Sequence, residues 1–572
     1  MSDQLVYDLS QQTEGAPSVF VRKDWLSLLD NQNGSYSGNS SVIDTSQLSN
    51  SNRYMGYADA YLQVPMIMTL TADTVAADSG AFAPATAATT CDYAVGLKNW
   101  FGSMIHSIQT EWNGVTVTQQ TNFIGLYNTF KLMTTLSYND ILTQSSAIGF
   151  YPDDALSVIF NAAATVNGIG TGFTQNAMSV PVVTGVHSTY NSGNIGFFKR
   201  QQFINYDPAG LTAPTADAFS TLLPAASCTT AYKSYIFNKT NGVNAASRGS
   251  FQIAINAIVR LKHLHSLYEK MPLLKGVYLK ITLQLNNSVV SFSSAAAGAA
   301  PTLISATSGV GGVVPIQIAS AAAGNGSVAA FGYNGNYTCS LAVGATCLVS
   351  SQLGAGGVTA SPLGRNITLN VPSYVMSPAF EAAYLSAQVK TIEYEDLYQY
   401  QVLSIGAAGG TINSLITNGI SNISKVLVLP YFTATANGAI SPLYSPFDGA
   451  GTGVTSPLCL LSNFQVVVSG QNALYNTQKY SYQQFMEQLT GCNSVNGNET
   501  DGLCSGLISQ LDFETAYCYY YVDVSRMLEI EKSVPKSISI QGINLSAKAI
   551  DLIVFVAYTQ TLKVDVLTGN RL

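Results

Sequence analysis

Between Ile108 and Met133 the hydrophobic pattern changes period. The residues before Asn113 read as a strand, and Asn113-Gly114 suits a turn with positive φ. After a polar segment, Phe123, Leu126, Tyr127 and Phe130 fall at i, i+3, i+4 and i+7, which predicts one apolar face of a short helix. Phe464 to Leu489 repeats the plan. A strand from Phe464 through Val468 turns at Ser469-Gly470, and Tyr482, Phe485, Met486 and Leu489 recur at the same helical spacing. The same strand–turn–helix unit occurs twice, which predicts a duplicated β-domain.

Alternation elsewhere adds strands. Phe251, Ile253, Ile255, Ala257 and Val259 alternate with mostly polar neighbours. In the next strand Leu279, Ile281, Leu283 and Leu285 face one way while Tyr278, Lys280, Thr282 and Gln284 face the other. Tyr61 to Thr71 reads as the first strand, placed near an edge or bulge by Pro65. NITLNVPSYVMSP (366–378) alternates as a closing strand, and AFEAAYLSA reads as a helical connector. TIEYEDLYQYQVLSI (391–405), a Tyr-rich strand from Tyr517 to Val524, SISIQG and AIDLIVFVAY follow. A second echo runs in register with the first. A strand, Arg260, a short helical LKHLHSLYEK with Glu269-Lys270, Pro272 and a strand match a strand, Arg526, Glu531-Lys532, Pro535 and a strand. Residues 1–17 therefore read as an N-terminal arm. The first domain is 18–380, with insertions at about 150–247 and 286–364; 381–390 connect it to the second domain, 391–572.

Composition changes the picture in one respect. Charged residues are 10% of the 572, against roughly a quarter in typical soluble domains, so polarity comes mainly from neutral Ser, Thr, Asn and Gln. A β-rich protein whose surface meets other protein fits that balance. No charged residue occurs between Lys280 and Arg365, or from Ala155 to Phe198, a Gly/Ala/Thr/Asn-rich passage that reads as loops or short strands. Burying these segments against other protein would remove apolar surface from water. Net charge is −7 and the basic residues form no stripe, which argues against direct, tight nucleic-acid binding. The polar, acidic opening MSDQLVYDLSQQTEG predicts no secretory signal, and the lack of a long apolar run predicts no transmembrane segment. The eight cysteines contain no CxxC; Cys339/Cys347 and Cys492/Cys504 are spaced to close small loops, although reduced thiols are the expectation without a signal.

Candidate chemistry is thin. His263 and His265, two apart, point to different helix faces and make no paired metal ligands, and His106 lies beside an apolar strand. Asp153-Asp154 and Glu393/Glu395/Asp396 lack a partner pattern for acid/base work, so solubility or interface roles are expected. GIGTG (168–172) and GAGTG (449–453) lack the Lys-Ser/Thr of a nucleotide loop. Asn-x-Ser/Thr triplets such as Asn336-Tyr337-Thr338 and Asn422-Ile423-Ser424 are expected by chance in so polar a chain. No catalytic, cofactor-binding or metal residue is assigned. The expectation is a structural subunit and not an enzyme, weighed against a β-sandwich glycan-binding adhesin or spike and a β-sandwich glycoside hydrolase.

WNGVTVTQQTNFIGLYNTFKLMTTLSYNDI, LSNFQVVVSGQNALYNTQKYSYQQFMEQL and PKSISIQGINLSAKAIDLIVFV resemble the double jelly-roll major capsid proteins of polinton-like viruses and virophages. The resemblance spans roughly 19–380 and 385–572, more weakly over 150–247 and 286–364, and carries no functional site residues. It implies an all-β chain of two tandem eight-stranded antiparallel jelly rolls, with short helices and long loop insertions in the first. It further implies a homotrimer with pseudo-hexameric outline that tiles an icosahedral shell beside neighbouring capsomers. A separate penton protein would close the vertices, with minor or cement proteins as further partners. The implied location is the virion, assembled inside the host cell, in the cytoplasm.

Overall fold

The structure, a computed structural model, describes residues 18–75, 93–152, 250–294, 302–320, 335–345, 365–433, 461–475, 479–490, 505–525, 527 and 533–572, apart from 516 and 547, with shorter pieces between. The first half contributes eight principal strands: β1 (Phe20–Leu29), β2 (Ser40–Asp44), β3 (Tyr61–Val75), β4 (Ile105–Trp112), β5 (Val115–Thr118), β6 (Ser250–Arg260), β7 (Leu279–Leu285) and β8 (Thr368–Met376). The second contributes β9 (Val389–Ile405), β10 (Gly410–Ile420), β11 (Ile423–Phe432), β12 (Leu461–Val468), β13 (Gln471–Asn472), β14 (Tyr520–Asp523), β15 (Lys536–Asn544) and β16 (Ile550–Asp565).

Hydrogen bonding sorts each set of eight into two sheets. In the first half β1 pairs β8, β8 pairs β3 and β3 pairs β6, while β2-β7-β4-β5 form the opposing sheet. In the second half the orders are β9-β16-β11-β14 and β10-β15-β12-β13. Strand for strand the orders are identical, and all pairs are antiparallel. Two four-stranded sheets with this crossing order make a jelly roll, so each half is one. The inward faces follow from period-2 burial: Leu279, Ile281, Leu283 and Leu285 are all fully buried, with polar residues between them half-exposed.

The duplicated turn is reproduced to within a few degrees. Asn113 and Gly114 have φ of 49° and 81°, and Ser469 and Gly470 have 49° and 84°. Successive positive φ values match the right-handed twist of the flanking strands. The helices that follow are α1 (Ile124–Thr135), continued by α2 (Tyr138–Ile148), in the first half. The short α3 (Leu261–Leu264) and α4 (Ser266–Lys270) come next, then α5 (Pro378–Leu385) between the two jelly rolls. The second half has α6 (Tyr482–Thr490) and α7 (Gln510–Thr515).

Three expectations need correction. The strand holding Pro65 is neither first nor an edge: β3 is interior, flanked by β6 on one side and β8 on the other. On that second side its partner changes from β8 (at Tyr61–Gln63) to the inserted strand Gly335–Val343 (from Met66). Pro65 sits at the changeover, its carbonyl accepting from Gly344, so the missing N–H falls where no ladder bond is made. The run 261–270 is not one helix, because extended His265 (φ −153°, ψ 141°) divides it. The 286–364 insertion is not confined to loops: Ser288–Ser294, Thr302–Ser308 and Gly335–Val343 extend the β3 sheet, while Ile316–Ser320 pairs with Tyr93–Leu97. Cys339 is a free buried thiol, so the Cys339/Cys347 loop is not closed. The 155–198 passage, most of the 150–247 insertion, Cys492/Cys504 and the Arg526, Glu531-Lys532 part of the second echo lie outside the described residues.

Candidate assembly interface

Sheet parity defines an inner and an outer face on each jelly roll. In the second, Tyr520 rings against Phe464 of the opposing sheet, 4.9 Å between centroids, so Tyr520 and its row face inward. Tyr521, Leu427 and Phe555, one residue out of phase, face outward. That outer face is covered by the first jelly roll. Tyr127 of α1 lies 5.6 Å from Phe555, and Phe130 lies 5.0 Å from Tyr519 and stacks at 5.3 Å on Tyr521. The helical spacing read from the sequence therefore serves two purposes. Phe123, Leu126, Tyr127 and Phe130 are all buried, but the last two seal the seam between jelly rolls and do not merely close the end of their own. On α6, Phe485 and Leu489 are buried, Phe485 stacking on Phe513 at 4.9 Å, while Tyr482 and Met486 are half-buried.

Beside the aromatic contact runs a polar seam. Asp396, 1% exposed, accepts through Oδ2 from the Tyr558 hydroxyl (3.1 Å) and the Gln119 amide (3.3 Å). Its Oδ1 accepts from the Leu397 amide and lies 3.3 Å from His265 Nε2. His265 Nδ1 accepts from the Leu267 amide, which leaves Nε2 to carry the proton toward Asp396. Thr121 donates to the Leu397 carbonyl at 2.9 Å, and Tyr394 donates to the Val117 carbonyl. Glu395 binds Lys425 (2.9 Å), Ser424 (3.0 Å) and the Tyr127 hydroxyl (3.1 Å). Burial would raise the Glu395 carboxyl, but Lys425, Ser424 and Tyr127 together hold it below its ordinary value. The chain end adds a further contact, with Trp112 Nε1 donating to Gly569 at 2.8 Å. His265 and the Glu395/Asp396 pair thus belong to one interface; sequence spacing alone put them 130 residues apart with no signal that they meet.

Of the other candidates, His106 is buried with its ring 5.0 Å from Phe123, and burial pushes it down to about 4. Burial, then the charges of Lys262, Arg260 and Lys131, push His263 down to about 3. Asn336-Tyr337-Thr338 lies inside the inserted strand with Tyr337 buried. Asp153-Asp154, GIGTG and GAGTG lie outside the described residues. Among the described residues no group of three or more His, Cys, Asp or Glu is placed to hold a metal, and no helix is long and apolar enough to cross a membrane.

The edge strand β1 of the first jelly roll is partly exposed on its outer side, as its counterpart β9 is at Leu403. Leu26 and Leu28 turn into the core, while Trp25 is 50% and Leu29 63% exposed on the other side. The Lys23 ammonium lies 5.9 Å above the Trp25 ring.

The chain is a double jelly roll. It is similar to a structure of the Sputnik virophage solved by cryo-EM, at 11% identity and a TM-score of 0.49, over 98% of this chain and 90% of that one. It is also similar to the crystal structure of the mavirus major capsid protein, at 9% identity and 0.43, over 98% and 92%. A quasi-atomic model of the PBCV-1 virus capsid follows at 8% identity and 0.38, over 98% of both chains. With every score below 0.5, the double jelly roll rests on the strand pairing given above. No protein-family model and no curated protein matches the chain.

Proposed function

We propose that this chain is a major capsid protein, a non-enzymatic subunit that tiles a virus shell. One observation carries the reading: two jelly rolls of the same strand order lie in tandem, and one covers the outer sheet face of the other through a buried seam of rings and paired carboxylates. Such a chain is already half of an assembly, because its internal contact is one that further copies can repeat. In this reading 18–380 and 391–572 are the two lobes, joined through 381–390, with 1–17 as an arm. Three chains give six similar lobes, hence a trimer of near-hexagonal outline that tiles beside neighbouring capsomers, with a different protein at the fivefold vertices. The virion, assembled inside the host cell, is its location. A glycan-binding role would need exposed rings as stacking platforms; Tyr57, Tyr268, Tyr337, Tyr431 and Tyr517 are fully buried, whereas Tyr138 and Tyr475 stand exposed.

The test is the mass and shape of the purified chain. Sedimentation velocity should give three times the 60.5 kDa chain mass, and negative-stain images should show hexagonal outlines. A chain that stays monomeric at all concentrations would sink the reading.

A further inference from the structure

We propose that the end of the molecule around the connector helix α5 is a docking surface for an anionic lipid bilayer. This surface is separate from the seam between the jelly rolls, and its contact with lipid does not require the chain to assemble.

The basic residues are scattered in the sequence, but the fold collects several of them at this end. β1 begins here, β8 ends here, α5 follows, and β9 leaves with Val389 and Lys390. Lys23 pairs with Tyr374 across β1 and β8, and Tyr374 pairs with Tyr54. The Met55 amide donates to Leu274, which brings in Lys275. Five cations, Arg22, Lys23, Arg53, Lys275 and Lys390, thus stand around two carboxylates, Asp24 and Glu381. The next carboxylate, Asp565 on β16, is offset by Lys563 and by Arg571, which bridges Val564. A locally positive end on a chain of net charge −7 is complementary to an anionic surface.

Ion pairs use up only part of this charge. Asp24 is shared by Arg22 at 2.6 Å and Arg53 at 2.7 Å, and Glu381 lies 3.9 Å from Lys275. Lys23 and Lys390 have no carboxylate partner among the described residues and lie over rings instead, 5.3 Å from the Tyr374 centroid and 4.8 Å from that of Tyr384. A ring attracts an ammonium through its quadrupole and leaves the formal charge uncancelled, open to an external anion. The rings also pack on one another, Tyr54 on Tyr384 at 5.9 Å and Phe20 on Tyr374 at 4.8 Å, so the lysines stand on a fixed platform.

The apolar residues select lipid. Val19, Phe20 and Val21 are exposed beside Arg22 and Lys23, and Val389 is exposed beside Lys390. Aliphatic side chains interleaved with cations match the boundary where acyl chains begin beneath anionic headgroups. Nucleic acid would use rings as stacking platforms, and Tyr54 and Tyr374 are buried.

Vesicle flotation of the full chain tests this. Binding to phosphatidylcholine vesicles containing phosphatidylserine should exceed binding to phosphatidylcholine alone by at least about tenfold. It should weaken as salt shortens the screening length. Lys23→Glu combined with Lys390→Glu should lower binding by at least about tenfold. Lys548→Glu, the same change at an exposed position by the start of β16 and so at the other end of that strand, should lower it by less than about twofold. Val19→Ser combined with Val21→Ser should lower it by about fivefold. Each variant should keep the wild-type melting temperature; if the charge reversal melts early, Lys23→Gln with Lys390→Gln removes both charges without adding repulsion. Equal binding to the two kinds of vesicle, or binding to neither, overturns the proposal. So does a Val19→Ser, Val21→Ser chain that binds vesicles like wild type while duplex DNA competes for the same lysines, which would make this a phosphate-contacting surface for nucleic acid.

Discussion

On the second jelly roll the outer sheet face is closed over where α1 packs, with Phe555, Leu427 and Tyr521 at 2% exposure or less. The edge strands are different, β1 leaving Trp25 and Leu29 half-exposed or more and β9 leaving Leu403 63% exposed. The strand order beneath the two faces is the same. Local pattern therefore does not decide whether an outer position is wet or dry; whether α1 packs on it does. The covered face also gathers ionised groups. A lone carboxylate buried there would be costly, and Asp396 is tolerated because an imidazole, a phenol and two amides share its lone pairs. The bare face carries Lys23, whose ammonium stays in contact with water.

The comparison breaks most readily at the seam. Phe130→Ala should lower unfolding free energy by about 3–5 kcal/mol, since it removes a ring packed on Tyr519 and Tyr521. Urea denaturation measures it, and a loss below about 1 kcal/mol would mean that the two lobes hold together without α1.

Acid should act unevenly on the two lobes. All four histidines lie in the first half of the chain. His106 and His263 are pushed down to about 4 and about 3, so the unfolded chain takes up protons first as pH falls. Their contribution to stability is whole above about pH 6.5 and is lost progressively from there toward about pH 4 and below. At about 1.4 kcal/mol per pKa unit, His106 alone accounts for roughly 3 kcal/mol. Thermal melts across pH 7 to 4 should show the decline, and His106→Phe should flatten it. Glu395, held below its ordinary 4.5, adds a separate loss that begins only as pH falls through that range. A decline that His106→Phe leaves unchanged would place the acid response elsewhere.

Smaller effects sharpen the likeness beneath the difference. Gly114→Ala and Gly470→Ala each force a side chain into the left-handed region, with open space around the new Cβ, so each should cost about 1–2 kcal/mol. Equal costs support equivalent turns; a gap wider than about 1 kcal/mol would mean that the two hairpins bear different loads. Smallest of all, Trp25→Ser should change monomer stability by within about 0.5 kcal/mol, as for a surface residue. A large loss in chemical denaturation would make Trp25 a core residue and not a surface one.

Much of this was legible in the chain. Period-2 runs such as Leu279 to Leu285 predict strands because alternate side chains must face opposite sides. The repeated turn and helical spacing identified the duplication because both depend on residues close in sequence. Tertiary structure alone decided where the helix faces point. Tyr127 and Phe130 read only as one apolar face of a helix, yet they meet Phe555 and Tyr521, more than 390 residues away. His265 offered no paired ligand and Asp396 no partner pattern in the sequence; the fold brings them to 3.3 Å. Pro65 suggested an edge, and only the change of partner along β3 shows how an interior strand accommodates it. Local periodicity records which way a side chain turns from its own backbone. Which surface then meets it depends on long-range packing, and that leaves no periodic trace in the sequence.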